Sequence, residues 1–140
     1  MLYNVELGSD KNKKPKNQNP KSNLDDHLRM DIKKNIEHYF KNQTDFLKPE
    51  FRLQNLASHL NVNKNILSQT INSVYSKNFN QLLNAYRISY ALEKINDKSW
   101  QNLSIEGMAE NVGFKSRTTF NKAFKENTGC TPSEYISKGL

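Results

Sequence analysis

The sequence has little of what most enzymes and secreted domains depend on. Cys130 is the only cysteine among 140 residues, which excludes an intrachain disulfide and a cysteine-based metal cluster. His27, His38 and His59 stand at no metal-ligand spacing, and no glycine-rich phosphate loop, GxSxG or HExxH motif occurs. We therefore predict no enzyme activity, no metal site and no cofactor.

Apolar and acidic residues are also scarce. Apolar residues make up 35% of the chain. No apolar run approaches the roughly 20 residues of a membrane span or forms the apolar core of a signal peptide, so we expect a cytoplasmic chain. Against 14 Asp and Glu stand 21 Lys and Arg, a net charge of +7. Such a balance favours a polyanionic partner, nucleic acid before an anionic membrane. Composition alone leaves a merely soluble basic protein as an equal alternative.

The N-terminal region differs from the rest. Residues 10–23 (DKNKKPKNQNPKSN) hold five lysines, two prolines and no apolar residue. This composition predicts that residues 1–23 form a disordered basic tail or linker. Residues 24–140 are then the folded domain, in which apolar residues recur at helical spacing and no strand-like alternation persists. The spacing predicts an all-α domain with a first helix at about 25–41 and a long helix at about 80–96.

Two segments of this domain repeat each other. Leu67 corresponds to Phe120 and Ile71 to Phe124 at the same offset (120 − 67 = 124 − 71 = 53). A short helix, a turn and a second helix in each copy predict helix-turn-helix units at about 53–75 and 105–127. Two unremarkable helical hairpins are the alternative. After them, Thr131 to Glu134 (TPSE) is a capping box with proline at the first helical position.

The second helix of each unit carries a polar stripe opposite its apolar one, at about 100° per residue. Neither polar stripe contains Asp or Glu, whereas a solvated face commonly mixes both signs. Hydrogen-bond donors without carboxylates are typical of a face that meets DNA. The stripe residues are Lys64, Asn65, Ser68, Gln69 and Asn72 in the first unit, and Arg117, Thr118, Asn121, Lys122 and Lys125 in the second.

Longer motifs resemble the DNA-binding domain of the AraC/XylS family of bacterial transcription regulators. They are Leu67-Ser68-Gln69, Val112-Gly113-Phe114, the run from Thr119 to Lys125 (TFNKAFK), and Gly129 followed by Thr131 to Tyr135 (TPSEY). The resemblance covers roughly residues 28–137. It implies seven helices, with two helix-turn-helix units joined by the long helix. It also implies that both recognition helices enter successive major-groove segments, about 34 Å apart.

The resemblance also implies which residues reach DNA. Asn65, Ser68 and Gln69 would do so from the first unit, and Arg117, Thr118, Thr119 and Lys122 from the second, although Thr119 points partly toward the core. Arg117 is the candidate for a bidentate guanine contact, and Gln69 could pair with adenine. With the remaining stripe residues and the adjacent Lys115 and Ser116, these make the predicted DNA-binding set.

The resemblance implies sequence-specific double-stranded DNA binding and regulation of transcription, as an activator or a repressor, with RNA polymerase as a further candidate partner. The domain alone is expected to be a monomer, because no heptad seam or spare apolar helix face is evident. Residues 1–23 are interpreted as an interdomain linker of a longer regulator, for which a dimer is the candidate state. A non-specific nucleic-acid-coating protein and a helical protein-interaction module are the alternatives.

Three positions stand out beside this pattern. Arg52 occupies a helix start where the family has a small capping residue, and Ser76 follows the first recognition helix where glycine is frequent. Arg87, on the long helix, is open to two interpretations, a phosphate contact or a pairing with a carboxylate.

Overall fold

The computed structural model describes residues 20–138 and contains, within that range, helices and no strand. The α-helices are α1 (Pro20–Asn42), α2 (Leu53–Leu60), α3 (Lys64–Tyr75), α4 (Phe79–Asn96), α5 (Ile105–Asn111), α6 (Arg117–Thr128) and α7 (Pro132–Ser137). A short 3-10 helix, Asp45–Leu47, lies between α1 and α2. The predicted all-α fold with seven helices is confirmed.

The start of α1 differs from the prediction. The helix begins at Pro20, inside the segment predicted to be disordered and before the predicted start near residue 25, which is therefore wrong. Hydrophobic periodicity marks only the part of a helix that packs, and residues 20–23 contain no apolar side chain to extend the pattern. Proline suits the first helical position because its missing N–H has no intrahelical partner there. The remaining part of the predicted tail, residues 1–19, lies outside the described residues.

The chain divides into two compact units. The first unit comprises the described residues up to Gln43 together with Arg52–Leu82. The second unit comprises Thr44–Phe51 together with the described residues from Leu83 onward. Each unit contains one helix-turn-helix, α2–α3 in the first and α5–α6 in the second.

In the first unit, α1, α2 and α3 pack on one another in all three pairs. Ile36 on α1, Leu56 on α2 and Leu67 on α3 are completely buried. Tyr39 adds an aromatic contact, because its ring lies 4.9 Å from the ring of His59. Burial of one apolar stripe per helix leaves the other side of α3 free to face outward.

The core of the second unit is aromatic along α6. The ring centroids of Phe114 and Phe120 are 5.6 Å apart, and those of Phe120 and Phe124 are 5.8 Å apart. Tyr135 on α7 continues the series at 5.8 Å from Phe124 and donates its hydroxyl to Asn96 Oδ1 at 2.9 Å. Aromatic pairs of this kind each contribute about 1 kcal/mol beyond the burial of area. These aromatic contacts pack the inner face of α6 against the core of the second unit.

Arg87 on α4 is a buried cation of the second unit, with only 5% of its surface exposed. Its Nε donates to Phe46 O at 2.8 Å and its Nη2 to Lys48 O at 2.7 Å. Its Nη1 donates to Gly113 O at 3.4 Å, and its guanidinium carbon lies 5.7 Å from the centre of the Phe114 ring. Arg87 therefore has the structural role that the sequence analysis weighed against a phosphate contact, but its partners are backbone carbonyls of its own unit and not a carboxylate.

Arg52 and Ser76, the two positions that depart from the family pattern, both lie at helix ends. Arg52 offers no acceptor, but the side chain of Asn55 accepts from the Arg52 N–H at 2.8 Å, which is one half of a capping box. Ser76 ends α3 in the left-handed conformation at φ 54°. Asn61, which ends α2, has the same φ of 54°. Asparagine tolerates this conformation better than serine, because its short amide can hydrogen-bond locally.

Candidate nucleic-acid interface

Asn63 caps the N-terminus of α3. Its Oδ1 accepts from the Asn65 N–H at 2.8 Å and from the Ile66 N–H at 3.2 Å. A cap of this kind satisfies N–H groups that have no intrahelical partner and commonly contributes about 1 kcal/mol. It therefore defines where the first recognition helix begins, immediately before the predicted stripe.

The outer face of α3 carries the predicted residues of the first unit. Lys64, Asn65, Gln69 and Asn72 are exposed, and Ser68 is half-buried. On the opposite side Leu67 and Ile71 are completely buried. The predicted separation of the two stripes is confirmed for this helix, and its outer face offers amides, one hydroxyl and one ammonium group.

The hydroxyl groups of Ser116 and Thr119 form hydrogen bonds at the N-terminus of α6, where Ser116 is the cap. Ser116 Oγ accepts from the Thr119 N–H at 3.1 Å, and Thr119 Oγ1 donates to Ser116 O at 3.0 Å. The two hydroxyl oxygens are 3.0 Å apart. Thr119 is exposed, so the expectation that it points partly toward the core is wrong. Its hydroxyl is nevertheless engaged in closing the first turn, because Thr119 stands at the third position after the cap.

The outer face of α6 is more basic than that of α3. Arg117, Thr118, Lys122 and Lys125 are exposed, as is Lys115 just before the helix. The inner face is closed by Phe120 and Phe124, both completely buried. The two stripes of α6 are thus separated as predicted.

Asn121 differs from the other stripe residues. It is half-buried, and its Oδ1 is a buried acceptor with no hydrogen-bond partner within the described part of the chain. In this rotamer the amide nitrogen, and not the oxygen, is available to a base edge. A half-turn about the last side-chain bond would exchange the two atoms.

Arg117 has a partner that the sequence did not indicate. Its Nη1 donates to Glu106 Oε1 at 3.1 Å, and both side chains are about half exposed, at 50% and 59%. The pKa of the Glu106 carboxyl is lowered by a hydrogen bond from its own backbone N–H and by the hydrogen bond from Arg117. Glu106 is therefore charged at neutral pH. It belongs to α5, so the carboxylate reaches the outer face from the neighbouring helix of the same unit.

Sequence reasoning did not identify the hydrogen-bond partners of three residues that position these faces: Asn63, Glu106 and Arg87. An asparagine three residues before Ile66 could have been identified as a cap from the sequence, because Asn is among the preferred capping residues. The partners of Glu106 and Arg87 come from other elements, and no local pattern reveals them. The described residues contain no group of three or more potential metal ligands. They also include no helix with the length and apolar character to cross a bilayer.

Comparison with known proteins agrees with this geometry. A family model described as a helix-turn-helix domain matches residues 56–138. The chain is similar to the raffinose operon transcriptional regulatory protein RafR of Pediococcus pentosaceus, with 30% identity over 83 residues, 59% of this chain and 29% of RafR. It is also similar to the regulatory protein PocR of Salmonella typhimurium, with 29% identity over 89 residues, 64% of this chain and 28% of PocR. The chain thus spans less than a third of the length of these curated relatives.

A solved structure shares the fold over most of the chain. It is the C-terminal domain of AraT, a response regulator from Geobacillus stearothermophilus. It has a TM-score of 0.57 and 27% identity, and the match covers 82% of this chain and 84% of that domain. The similarity therefore includes residues on both sides of α4, not a single helix-turn-helix.

Proposed function

Because this chain belongs to the family of AraC-type helix-turn-helix DNA-binding domains of transcription regulators, we propose that it recognises its operator through α3 and α6. Each of these helices would enter a major-groove segment with its outer face toward the bases. The function is one of binding and includes no chemical step. The observation that carries the proposal is the pair of exposed polar stripes on α3 and α6, which have no Asp or Glu among their own residues and lie opposite buried apolar stripes.

The outer faces of α3 and α6 differ in the number of cations that they would present to DNA. The outer face of α6, with Lys115 before it, presents four cations: Lys115, Arg117, Lys122 and Lys125. The outer face of α3 presents one, Lys64, among the amides of Asn65, Gln69 and Asn72. Phosphate neutralisation accounts for most non-specific affinity and for its dependence on salt. The second unit then supplies most of the electrostatic affinity, and the first unit reads bases mainly through neutral hydrogen bonds.

Individual contacts follow from side-chain chemistry. Arg117 would pair with O6 and N7 of a guanine, and Gln69 with N6 and N7 of an adenine. Lys122 and Lys125, with flexible ammonium groups, suit phosphates. The hydroxyls of Ser116 and Thr119 are engaged in the cap of α6, so their proposed role is limited to the oxygen lone pairs that remain.

The operator would contain two short boxes with centres about 10 bp apart, because two recognition helices on one face of a duplex meet the major groove once per turn. Promoter binding would place the protein in the cytoplasm, with RNA polymerase as a further partner at an activated promoter. A longer protein that carries this domain could bind as a dimer.

Selection of bound duplexes from a randomised library, at two salt concentrations, tests the proposal. Enrichment of two boxes at this spacing would support it. Binding without enrichment would refute sequence-specific recognition in favour of a nucleic-acid-coating role. Absence of binding at low salt would point to a protein-interaction module, because phosphate contacts strengthen as salt is lowered.

A further inference from the structure

The ion pair between Arg117 and Glu106 brings a carboxylate to the outer face of α6. Arg117 is the first residue of α6, and Glu106 lies in the first turn of α5. The two helices pack on each other within the second unit. A negative charge at the edge of a face that meets DNA repels phosphates, so it weakens binding to every duplex.

The geometry of the pair leaves most of the guanidinium available. The contact joins Nη1 of Arg117 to Oε1 of Glu106 at 3.1 Å. A guanidinium carries further N–H donors on its other nitrogens, arranged as a fork that matches two acceptors. One edge of Arg117 can therefore stay on the carboxylate while another meets a guanine.

The backbone that carries the carboxylate is restrained. Glu106 lies in the first turn of α5, and the cap residue Ser104 accepts from the Gly107 N–H through its Oγ at 3.0 Å. Arg117 has a long side chain with many rotamers, and a partner on a capped helix start reduces the number that it samples. Restraint of the side chain before binding reduces the conformational entropy that is lost when the complex forms.

We propose that Glu106 is a positioning residue for DNA recognition, which holds the guanidinium of Arg117 in the orientation that reads one base pair. This inference rests on the proposed function. It assigns to Glu106 two opposite effects: it increases discrimination at the base pair read by Arg117, and it decreases affinity for all duplexes through its charge. A carboxylate that merely competes with DNA for Arg117 would have only the second effect.

The opposite signs allow a direct test. We would measure the ratio of affinities for the selected duplex and for the duplex changed at the base pair that Arg117→Ala identifies. In Glu106→Ala this ratio should fall about two- to fivefold, the scale of an exposed ion pair, while binding to a scrambled duplex becomes tighter. Glu106→Gln keeps an acceptor oxygen and should retain most of the discrimination, with the same gain on the scrambled duplex.

Glu110 provides a matched control, since it is an exposed carboxylate on the same helix. Glu110→Ala should leave the ratio unchanged. Glu106→Ala combined with Arg117→Ala should discriminate no less than Arg117→Ala alone. Thermal unfolding of each variant shows whether α5 still folds.

A second measurement does not involve DNA. Nuclear magnetic relaxation of the Arg117 Nε–H group in the free protein should show more motion in Glu106→Ala than in the wild type. An unchanged or increased discrimination ratio in Glu106→Ala, or an equally ordered guanidinium, would overturn the inference while the proposed function stands. A wild-type protein with no preferred duplex would refute both.

Discussion

Arg87 and Gly113 are in contact at the turn between α5 and α6. A Cβ atom on Gly113 would lie 2.9 Å from both the Cζ and the Nη2 of Arg87, and 2.5 Å from Leu47 O. Gly113 also has a φ of +88°, in the left-handed region. The absence of a side chain at 113 is therefore what allows the buried guanidinium to reach the turn of the second helix-turn-helix.

Gly113→Ala should destabilise the domain strongly. The substitution combines backbone strain of about 1–2 kcal/mol with a collision against a backbone oxygen that cannot move away easily. Gly129→Ala is the control, because Gly129 has a φ of +90° but no atom within 4 Å of its Cβ position. Urea unfolding should show a loss for Gly113→Ala that exceeds the loss for Gly129→Ala by about 1 kcal/mol or more. Equal losses of stability in the two variants would show that backbone strain alone, without the collision, explains the cost of replacing Gly113.

Arg87→Met should cost about 3 kcal/mol, because it leaves backbone carbonyls buried without donors. Arg87→Lys should recover only part of this loss, since one ammonium group cannot bind Phe46 O, Lys48 O and Gly113 O in the same fork geometry. Chemical unfolding of both variants measures the difference. A fully stable Arg87→Lys would show that charge, not the arrangement of donors, is required.

The cost of Arg87→Met should not change between about pH 6 and about pH 8. Burial lowers the pKa of Arg87 to about 10. A depressed pKa makes folding depend on pH only where the unfolded chain still binds the proton and the folded chain has lost it, which lies above neutrality. Stability curves of wild type and variant should therefore run parallel across this window, and a divergence would show that Arg87 changes its charge there.

Ser76→Gly should stabilise the first unit slightly. Glycine removes the strain of φ 54° at the end of α3, and the larger entropy of the unfolded chain offsets part of the gain, which leaves about 0.5 kcal/mol. Asn61→Gly is the matched control at the same φ, and it should gain less because asparagine adopts this conformation more readily. Melting temperatures of both variants give the comparison, and a larger gain at Asn61 would contradict the explanation.

Arg117→Ala and Lys125→Ala should affect DNA binding in different ways. Loss of a bidentate guanine contact should relax the preference at one base pair by about 1–3 kcal/mol. Loss of a phosphate contact should weaken all duplexes by a similar factor and reduce the salt slope by about 1. Competition binding at several salt concentrations separates the two. An unchanged preference at every position in Arg117→Ala would contradict the assignment of that residue.

Glu134→Gln should change how stability depends on acid. The pKa of the Glu134 carboxyl is lowered by hydrogen bonds with Thr131, whose N–H donates to Oε1 at 2.9 Å. A lowered folded pKa adds stability above the ordinary carboxyl pKa, and this stability is lost as the pH falls through the folded value. The difference in stability between wild type and variant should thus shrink in acid. A difference that stays constant with pH would contradict this role of the charge.

The sequence was sufficient where one helix determines the outcome. The apolar stripe that contains Phe120 and Phe124 and the capping box from Thr131 to Glu134 each depend on residues a few positions apart, and the structure confirms both. Periodicity and capping are local properties, so a single chain reveals them.

The sequence was not sufficient where distant segments meet. Phe46 and Arg87 are separated by 41 positions, and Arg117 and Glu106 by 11. These contacts depend on how elements pack, which no spacing rule encodes. The same limit explains Asn121, which shares the angular position of the polar stripe but has a buried amide oxygen.

Within residues 20–138, the second unit is built from two stretches of chain that are synthesised at different times. Thr44–Phe51 emerges first, then Arg52–Leu82 of the other unit, and only afterwards residues 83–138, which include Arg87. The carbonyls of Phe46 and Lys48 are therefore synthesised before Arg87, which donates hydrogen bonds to them. A gene fragment that starts at α4 would encode the whole second helix-turn-helix and yet omit two of the acceptors that its buried arginine requires.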